Sequence, residues 1–276
     1  MSLAASPIWQ KGIKKLRFHL NRMQVPTSRY DLALLALRNR YHGRRCFVIG
    51  NGPSLRMSDL DLLAQKGELC LASNNIHLAF EATAWRPDYY GLEDTALARK
   101  YSEQINQRIT GTMVVANYLA DVIGPGPCPG LNRVFFRLLP RVTPPKKPAF
   151  SWNLVKGINC GGTITYTLLQ IAAWLGCTQA YLLGVDFSYK TGAVQASVQH
   201  AGFQTYTYRP ETGSNYFCKQ YWKPGDPIIA PDLASSLCAF ESAKAWCAMT
   251  GRMEIRNATR GGKLEVFPRV EFDSLF

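Results

Sequence analysis

The sequence predicts a doubly wound α/β fold with a mostly parallel sheet and an inserted lid. Three observations carry this. The run Cys46-Phe47-Val48-Ile49 is apolar without polar alternation, the pattern of a strand buried on both faces. It ends abruptly in Gly50-Asn51-Gly52-Pro53-Ser54, a tight turn leading into a helical segment. Further short apolar runs, Leu69 to Ala72, Thr112 to Asn117 and Ala180 to Val185, recur between helical stretches, as strands and crossovers do in a parallel sheet.

The chain opens with a basic amphipathic helix over residues 8 to 24. Ile8, Trp9, Ile13, Leu16, Leu20 and Met23 fall near helical spacing, with Lys11, Lys14, Lys15, Arg17 and Arg22 between them. Such a helix can lie on anionic lipid or dock on its own domain. Pro26 ends it, and a second helix, Arg29 to His42, delivers the chain to the first strand. Residues 1–43 thus form a basic helical segment and residues 44–276 a nucleotide-binding domain.

In the first turn, Gly50 and Gly52 carry no Cβ and let the backbone approach a ligand. Ser54 stands where it can cap the next helix, with Asp59 and Asp61 in its early turns. Strand, turn and helix N-terminus together make an anion site, with free N–H groups toward a phosphate and the Asn51 amide beside them. The motif has neither the third glycine of the dinucleotide fingerprint nor the Gly-Lys of the Walker loop. As a plain alternative it is a structural turn.

The second strand ends in Ser73-Asn74-Asn75, and ligands of open parallel sheets bind at carboxyl ends, so Asn74 and Asn75 are candidates to read a base or ribose. The stretch Arg86 to Asp94 reads as a third strand ending in Glu93 and Asp94. Glu93 can serve as a base, and Asp94 equally as a helix cap. Residues 124–150, rich in Pro, Gly and cations, read as a surface excursion. A second glycine turn, Asn159-Cys160-Gly161-Gly162-Thr163, opens the helix Ile164 to Leu175 and repeats the logic of the first, so that two turns would grip one ligand. The following strand closes on Asp186. A lid at about 188–232 lacks periodicity and holds His200, Tyr206, Tyr208, Tyr216 and Tyr221. Leu233 to Met249 forms a helix and Met253 to Arg256 a strand.

Of the net charge of +13, +9 lies in residues 1 to 45, where ten Lys or Arg face the single acid Asp31. That concentration suggests an anionic neighbour, membrane or acidic glycan, or else a solvated helix face. No basic and aromatic stripe runs through the body, which disfavours nucleic acid. The eight cysteines include no CxxC pair, so a zinc site is not expected and a reducing, cytosolic compartment is. The apolar region Thr165 to Val185 is broken by Gln170, Gly176 and Gln179 and reads as helix then strand, not as a membrane span.

Gly50-Asn51-Gly52-Pro53-Ser54-Leu55, Ser73-Asn74-Asn75, Gly161-Gly162-Thr163 and Tyr181-Leu182-Leu183-Gly184-Val185-Asp186-Phe187 occur in an order that resembles the bacterial CMP-sialic acid sialyltransferase family. The wider superfamily includes proteins similar to 6-hydroxymethylpterin diphosphokinase, and the ending Asn257 to Pro268 looks like members of that second group. The resemblance implies a Rossmann-like fold over residues 44 to 276. It puts phosphate and ribose contacts on Asn51, Gly52 and Ser54, base reading on Asn74, and a donor-phosphate tyrosine at Tyr189. Where those sialyltransferases carry a histidine in a Ser-His-Tyr context, this chain has Ser214-Asn215-Tyr216, and an amide cannot take a proton near neutral pH. His200, Glu93 or Asp186 would then be the base, or the chemistry differs.

The first expectation is a metal-independent glycosyltransferase with no cofactor, using a nucleotide-activated, CMP-type sugar and a glycan or lipid-linked acceptor. It would be cytoplasmic and peripheral at the inner face of the membrane. The second is a diphosphokinase requiring magnesium, with Asp186, Glu93 and Asp94 as candidate ligands. A non-catalytic nucleotide-binding protein is the third.

Overall fold

The computed structural model describes residues 7–23, 25–124, 133–189, 194–200, 203–208, 215–221, 227–229 and 231–276. In chain order the elements are α1 (Pro7–Arg22), α2 (Arg29–Leu37), β1 (Arg45–Ile49), α3 (Met57–Gln65), β2 (Leu69–Ser73), β3 (Tyr89–Leu92), α4 (Thr95–Arg108), β4 (Thr112–Ala116), α5 (Ala120–Ile123) and β5 (Arg133–Phe136). Then come β6 (Leu138–Leu139), β7 (Ile158–Asn159), α6 (Ile164–Trp174), β8 (Gln179–Leu183), β9 (Val194–His200), β10 (Phe203–Tyr208), β11 (Pro227–Ile229), α7 (Leu233–Thr250) and β12 (Glu254–Asn257). A 3-10 helix spans Asn74–Glu81.

The central sheet has seven strands in the order β12-β8-β1-β2-β3-β4-β5, and every pairing in it is parallel. Residues 46–49 and all of β2 and β3 are buried, because crossover helices cover both faces of such a sheet. β1 lies at the turning point. Strands β2 to β5 add successively on one side, then the chain returns to lay β8 and β12 on the other. The strand order therefore reverses between β1 and β8, and open α/β sheets bind ligands beyond the carboxyl ends at such a reversal.

Several sequence expectations shift. The second helix stops at Leu37, not His42, because Arg38 is extended and Asn39 takes a φ of 57°. The Asn39 and Tyr41 N–H groups donate instead to the Trp174 and Leu175 carbonyls at the end of α6. The helix after the first turn begins at Met57, with Arg56 at the cap position and no side-chain cap bond, so Ser54 does not cap it. The supposed surface excursion contains β5, the outermost strand of the sheet, with Val134 and Phe136 fully buried. The lid is not structureless. Its strands β9, β10 and β11 form an antiparallel sheet in the order β11-β10-β9.

Candidate functional site

At the reversal point the first turn is stitched to the end of β8. The Gly50 N–H donates to the Leu183 carbonyl at 2.7 Å and the Gly52 N–H to the Gly184 carbonyl at 2.8 Å. Ser54 Oγ donates to Asp186 Oδ2 at 2.8 Å, with the Ser54 N–H at 3.4 Å from the same oxygen. The Gly50 and Gly52 N–H groups are therefore engaged at the end of β8, and the close approach their missing Cβ atoms permit is to Gly184 and, for Gly52, to the Asp186 carboxylate as well. Asp186 is a buried clamp. Burial raises its pKa while the Ser54 contacts oppose the rise, and its own carbonyl accepts from the Lys263 N–H.

The face of the turn toward β2 is different. Asn51 Nδ2 donates to the Ser73 carbonyl at 3.2 Å, leaving Asn51 Oδ1 buried without a partner. Asn74 and Asn75 follow at the end of β2, and their Oδ1 atoms are likewise buried and unpartnered. Three of the four such asparagine oxygens among the described residues thus sit at the carboxyl ends of two adjacent strands. A buried acceptor left unmatched costs about 1–3 kcal/mol, so their grouping needs a reason. Asn74 also takes a φ of 55°, a left-handed conformation that asparagine adopts more readily than other side-chain-bearing residues. The Tyr90 hydroxyl, donating to the Asn74 carbonyl at 2.7 Å, holds it there.

Glu93 lies one strand further along the same edge, since Ser73 pairs with Gly91. Its carboxylate accepts from Thr167 Oγ1 at 2.8 Å, and the Tyr118 hydroxyl donates to its carbonyl. Although the residue as a whole is only half-buried, its carboxyl group is closely surrounded. Burial, opposed by Thr167 and helped by Asp94, pushes its pKa up to about 7. Asp94 itself caps α4 through the Leu97 N–H at 2.9 Å.

Glu93 yields a pH prediction. An acid whose folded pKa is raised binds its proton more tightly in the native state, so stability is fullest below about 4.5 and falls as the pH rises through about 7. Glu93→Gln is expected to match the parent at pH 5 and to be more stable at pH 8 by about 2 kcal/mol. Urea unfolding at the two pH values checks this, and equal differences at both would contradict it.

The second glycine turn is also occupied by protein. Gln170, fully buried, accepts from the Asn159 N–H and donates to the Asn159 carbonyl, each at 3.0 Å. A Cβ on Gly161 would meet the Tyr166 ring and Ala239, so this glycine admits α7. Gly162, at a φ of 72°, packs beside Ser235 and the Arg141 guanidinium, which pairs with Asp232. Thr163 caps α6, accepting from the Thr165 N–H. The two turns share the carboxyl edge, but the first faces β8 and the second faces α7.

Part of the lid closes over the asparagines. The Phe217 N–H donates to the Asn51 carbonyl at 3.1 Å, and Tyr216 stacks on the buried Tyr221 with centroids 3.9 Å apart. The Tyr221 hydroxyl meets the Asn75 backbone, with Tyr189 and Tyr90 close by. Tyr189 is partly exposed at this rim, and Asn215 is buried. The His200 side chain lies outside the described residues, as do those of Tyr206 and Tyr208.

The structure thus gathers Asn51, Asn74, Asn75 and Glu93 along one edge with Tyr189 near the lid tyrosines. It assigns Gly50, Gly52, Ser54 and Asp186 to the stitch, and Asn159, Gly161 and Gly162 to packing; Pro53 lies within the stitched turn. Sequence reading missed Thr167 and Tyr118, which hold Glu93, and Thr259, whose Oγ1 accepts from the Val185 N–H at 3.1 Å. No spacing signal marks them, because each reaches the site from a distant segment. The 310 Å³ cleft bordered by Arg40, Arg86, Asp88 and Thr112 opens at the amino edge of the sheet, away from this cluster. Among the described residues no group of three His, Cys, Asp or Glu side chains could hold a metal ion. Asp186 is engaged by Ser54, Asp94 by the Leu97 N–H and Glu93 by Thr167.

A parallel sheet with its strand reversal at β1 and β8 defines a doubly wound, Rossmann-like α/β protein. A family model described as 6-hydroxymethylpterin diphosphokinase MptE-like matches residues 30–192, and the chain belongs to this MptE-like family. Among solved structures, the MAf glycosyltransferase from Magnetospirillum magneticum AMB-1 is similar in fold, with a TM-score of 0.51 and 14% sequence identity. The alignment covers 98% of this chain but 43% of that one, so this chain spans less than half the length of the glycosyltransferase. No curated protein matches the sequence. No helix among the described residues is long and apolar enough to cross a membrane.

Proposed function

We propose that the carboxyl-edge crevice binds a nucleotide and that the chain transfers a group from it, as a glycosyltransferase using a CMP-type activated sugar and a glycan acceptor. The observation that carries this reading is the set of three buried, unpartnered oxygens on Asn51, Asn74 and Asn75. Acceptors grouped in this way match the amino group of a base and the hydroxyls of a ribose, and the lid tyrosines offer a face for stacking. Glu93, with a pKa near 7, is suited to take a proton from an acceptor hydroxyl at neutral pH. Thr167 orients that carboxylate. The fold likeness to a glycosyltransferase supports the same choice.

The family description favours a second reading, diphosphoryl transfer from a nucleotide to a small hydroxymethyl compound. Calorimetry against CMP, UDP, GDP and ATP, each with and without magnesium, separates the two. Binding of CMP without magnesium, weakened roughly tenfold by Asn75→Ala, is the expected result. ATP binding only with magnesium would select the second reading. If none binds, or if Asn51→Ala and Asn75→Ala both leave binding unchanged, the crevice is not a nucleotide site.

A further inference from the structure

Helix α1 stands out because the described protein leaves Ile13 and Leu16 of its apolar side in solvent and Leu20 only half-covered. Ile13 and Leu16 are 43% and 59% exposed, and Met23 just beyond the helix is 69% exposed. The stripe continues through Val25, Tyr30 and Leu32, all exposed. Six of the thirteen large hydrophobic side chains that face solvent among the described residues therefore fall between positions 13 and 32. Lys11, Lys14, Lys15 and Arg17 are exposed on the same helix, and at about 100° per residue the three lysines project away from the Ile13, Leu16 and Met23 side while Arg17 flanks it beside Ile13. Arg29 lies over the Tyr30 ring at 5.1 Å. The one acid in this stretch, Asp31, is buried and accepts from the Thr27 N–H and Oγ1 at 2.7 and 2.8 Å.

We propose that α1, with the exposed start of α2, docks on the headgroup region of an anionic bilayer. An apolar stripe backed by cations and free of exposed acid matches such a surface, which offers acyl chains below a layer of negative charge. A second copy of the same helix would bring like charges together, and a nucleic acid would leave the apolar stripe in water. At 16 residues the helix is about 24 Å long, so it lies along the surface. The helix joins the body through the Thr27 and Asp31 bonds, followed by the Tyr30 ring edge-on to Phe135 of β5 at 5.5 Å. The β5 flank would therefore be the part of the domain next to the membrane.

The test is co-sedimentation of the full chain with vesicles of phosphatidylcholine alone or mixed with phosphatidylglycerol, at low and high salt. Two variants accompany it: Lys11→Glu, Lys14→Glu and Lys15→Glu combined, and Leu16→Asp with Met23→Asp. All five positions are exposed, so both variants should keep the parent's thermal midpoint, which is measured alongside. Binding confined to the mixed vesicles, relieved by salt and reduced roughly 100-fold by the charge variant, with a comparable loss in the apolar variant, is the expected result. Equal binding to neutral vesicles would overturn the proposal. So would binding that neither variant weakens, or no binding to either vesicle; a self-association, seen by ultracentrifugation, that Leu16→Asp with Met23→Asp abolishes would assign the stripe to a second copy instead.

Discussion

Gly52→Ala is expected to destabilise the protein by about 3 kcal/mol, the upper part of the range for inserting an atom into packed structure. A Cβ there would collide with the Asp186 carboxylate and stand 2.7 Å from the Gly184 carbonyl oxygen. Relief requires either that Asp186 leave Ser54 or that the whole turn lift from β8, breaking the 2.8 Å bond from Gly52 N–H to Gly184. Both options unmake the stitch at the strand reversal. Gly67 supplies the control. Its φ is 63° and nothing lies within 4 Å of its built Cβ, so Gly67→Ala carries only the left-handed backbone term of about 1 kcal/mol. Urea unfolding of both variants settles the comparison. A Gly52 variant no less stable than the Gly67 variant would mean that the contact with β8 is dispensable.

Arg260→Ala is expected to cost about 3–5 kcal/mol, because it strands a buried carboxylate. Asp59 is 3% exposed and is held by one edge of the Arg260 guanidinium, from Nε at 2.9 Å and from Nη2 at 3.0 Å. Arg260 also reaches Asp273, whose side chain is 70% exposed, so Asp273→Ala should cost less than about 1 kcal/mol. The loss at Arg260 would spread toward the site. The segment that carries it also supplies the Ala258 N–H to the Leu182 carbonyl and the Lys263 N–H to the Asp186 carbonyl. Thermal unfolding of Arg260→Ala alone and with Asp59→Asn checks the cause: the second change should recover part of the midpoint, and no recovery would place the cost elsewhere.

The strands of the sheet were legible where each is apolar without interruption. Cys46 to Ile49, Leu69 to Ala72 and Ala180 to Leu183 announce burial on both faces, and the structure places them side by side. Arg133–Phe136 was not legible, because four residues in a basic, proline-rich and glycine-rich region give too short a period to stand out. The lid strands were missed for another reason: Val194–His200 and Phe203–Tyr208 mix Thr, Gln and Tyr, which make good strands only once paired. In the site, Asn51, Asn74, Asn75 and Glu93 could be found by their place after a strand. The partners of the glycines could not. Gly50 and Gly52 look alike whether the backbone they meet belongs to a ligand or to residue 184, and only the register of β1 with β8 decides between them.

That register also orders events in time. Arg45 and its partner Gln179 are 134 positions apart in the chain, whereas β2 to β5 follow β1 directly. During synthesis the amino-terminal strands emerge and can associate first, and long-range pairings form slowly because their loop closure precedes any gain in contact energy. Five of the seven strands can therefore pair before the Gly50 turn has anything to be stitched to. Asn51 would then hang from an unsupported turn while Asn74 and Asn75 already stand at the end of β2, and the crevice acquires its shape only when β8 arrives, late in folding.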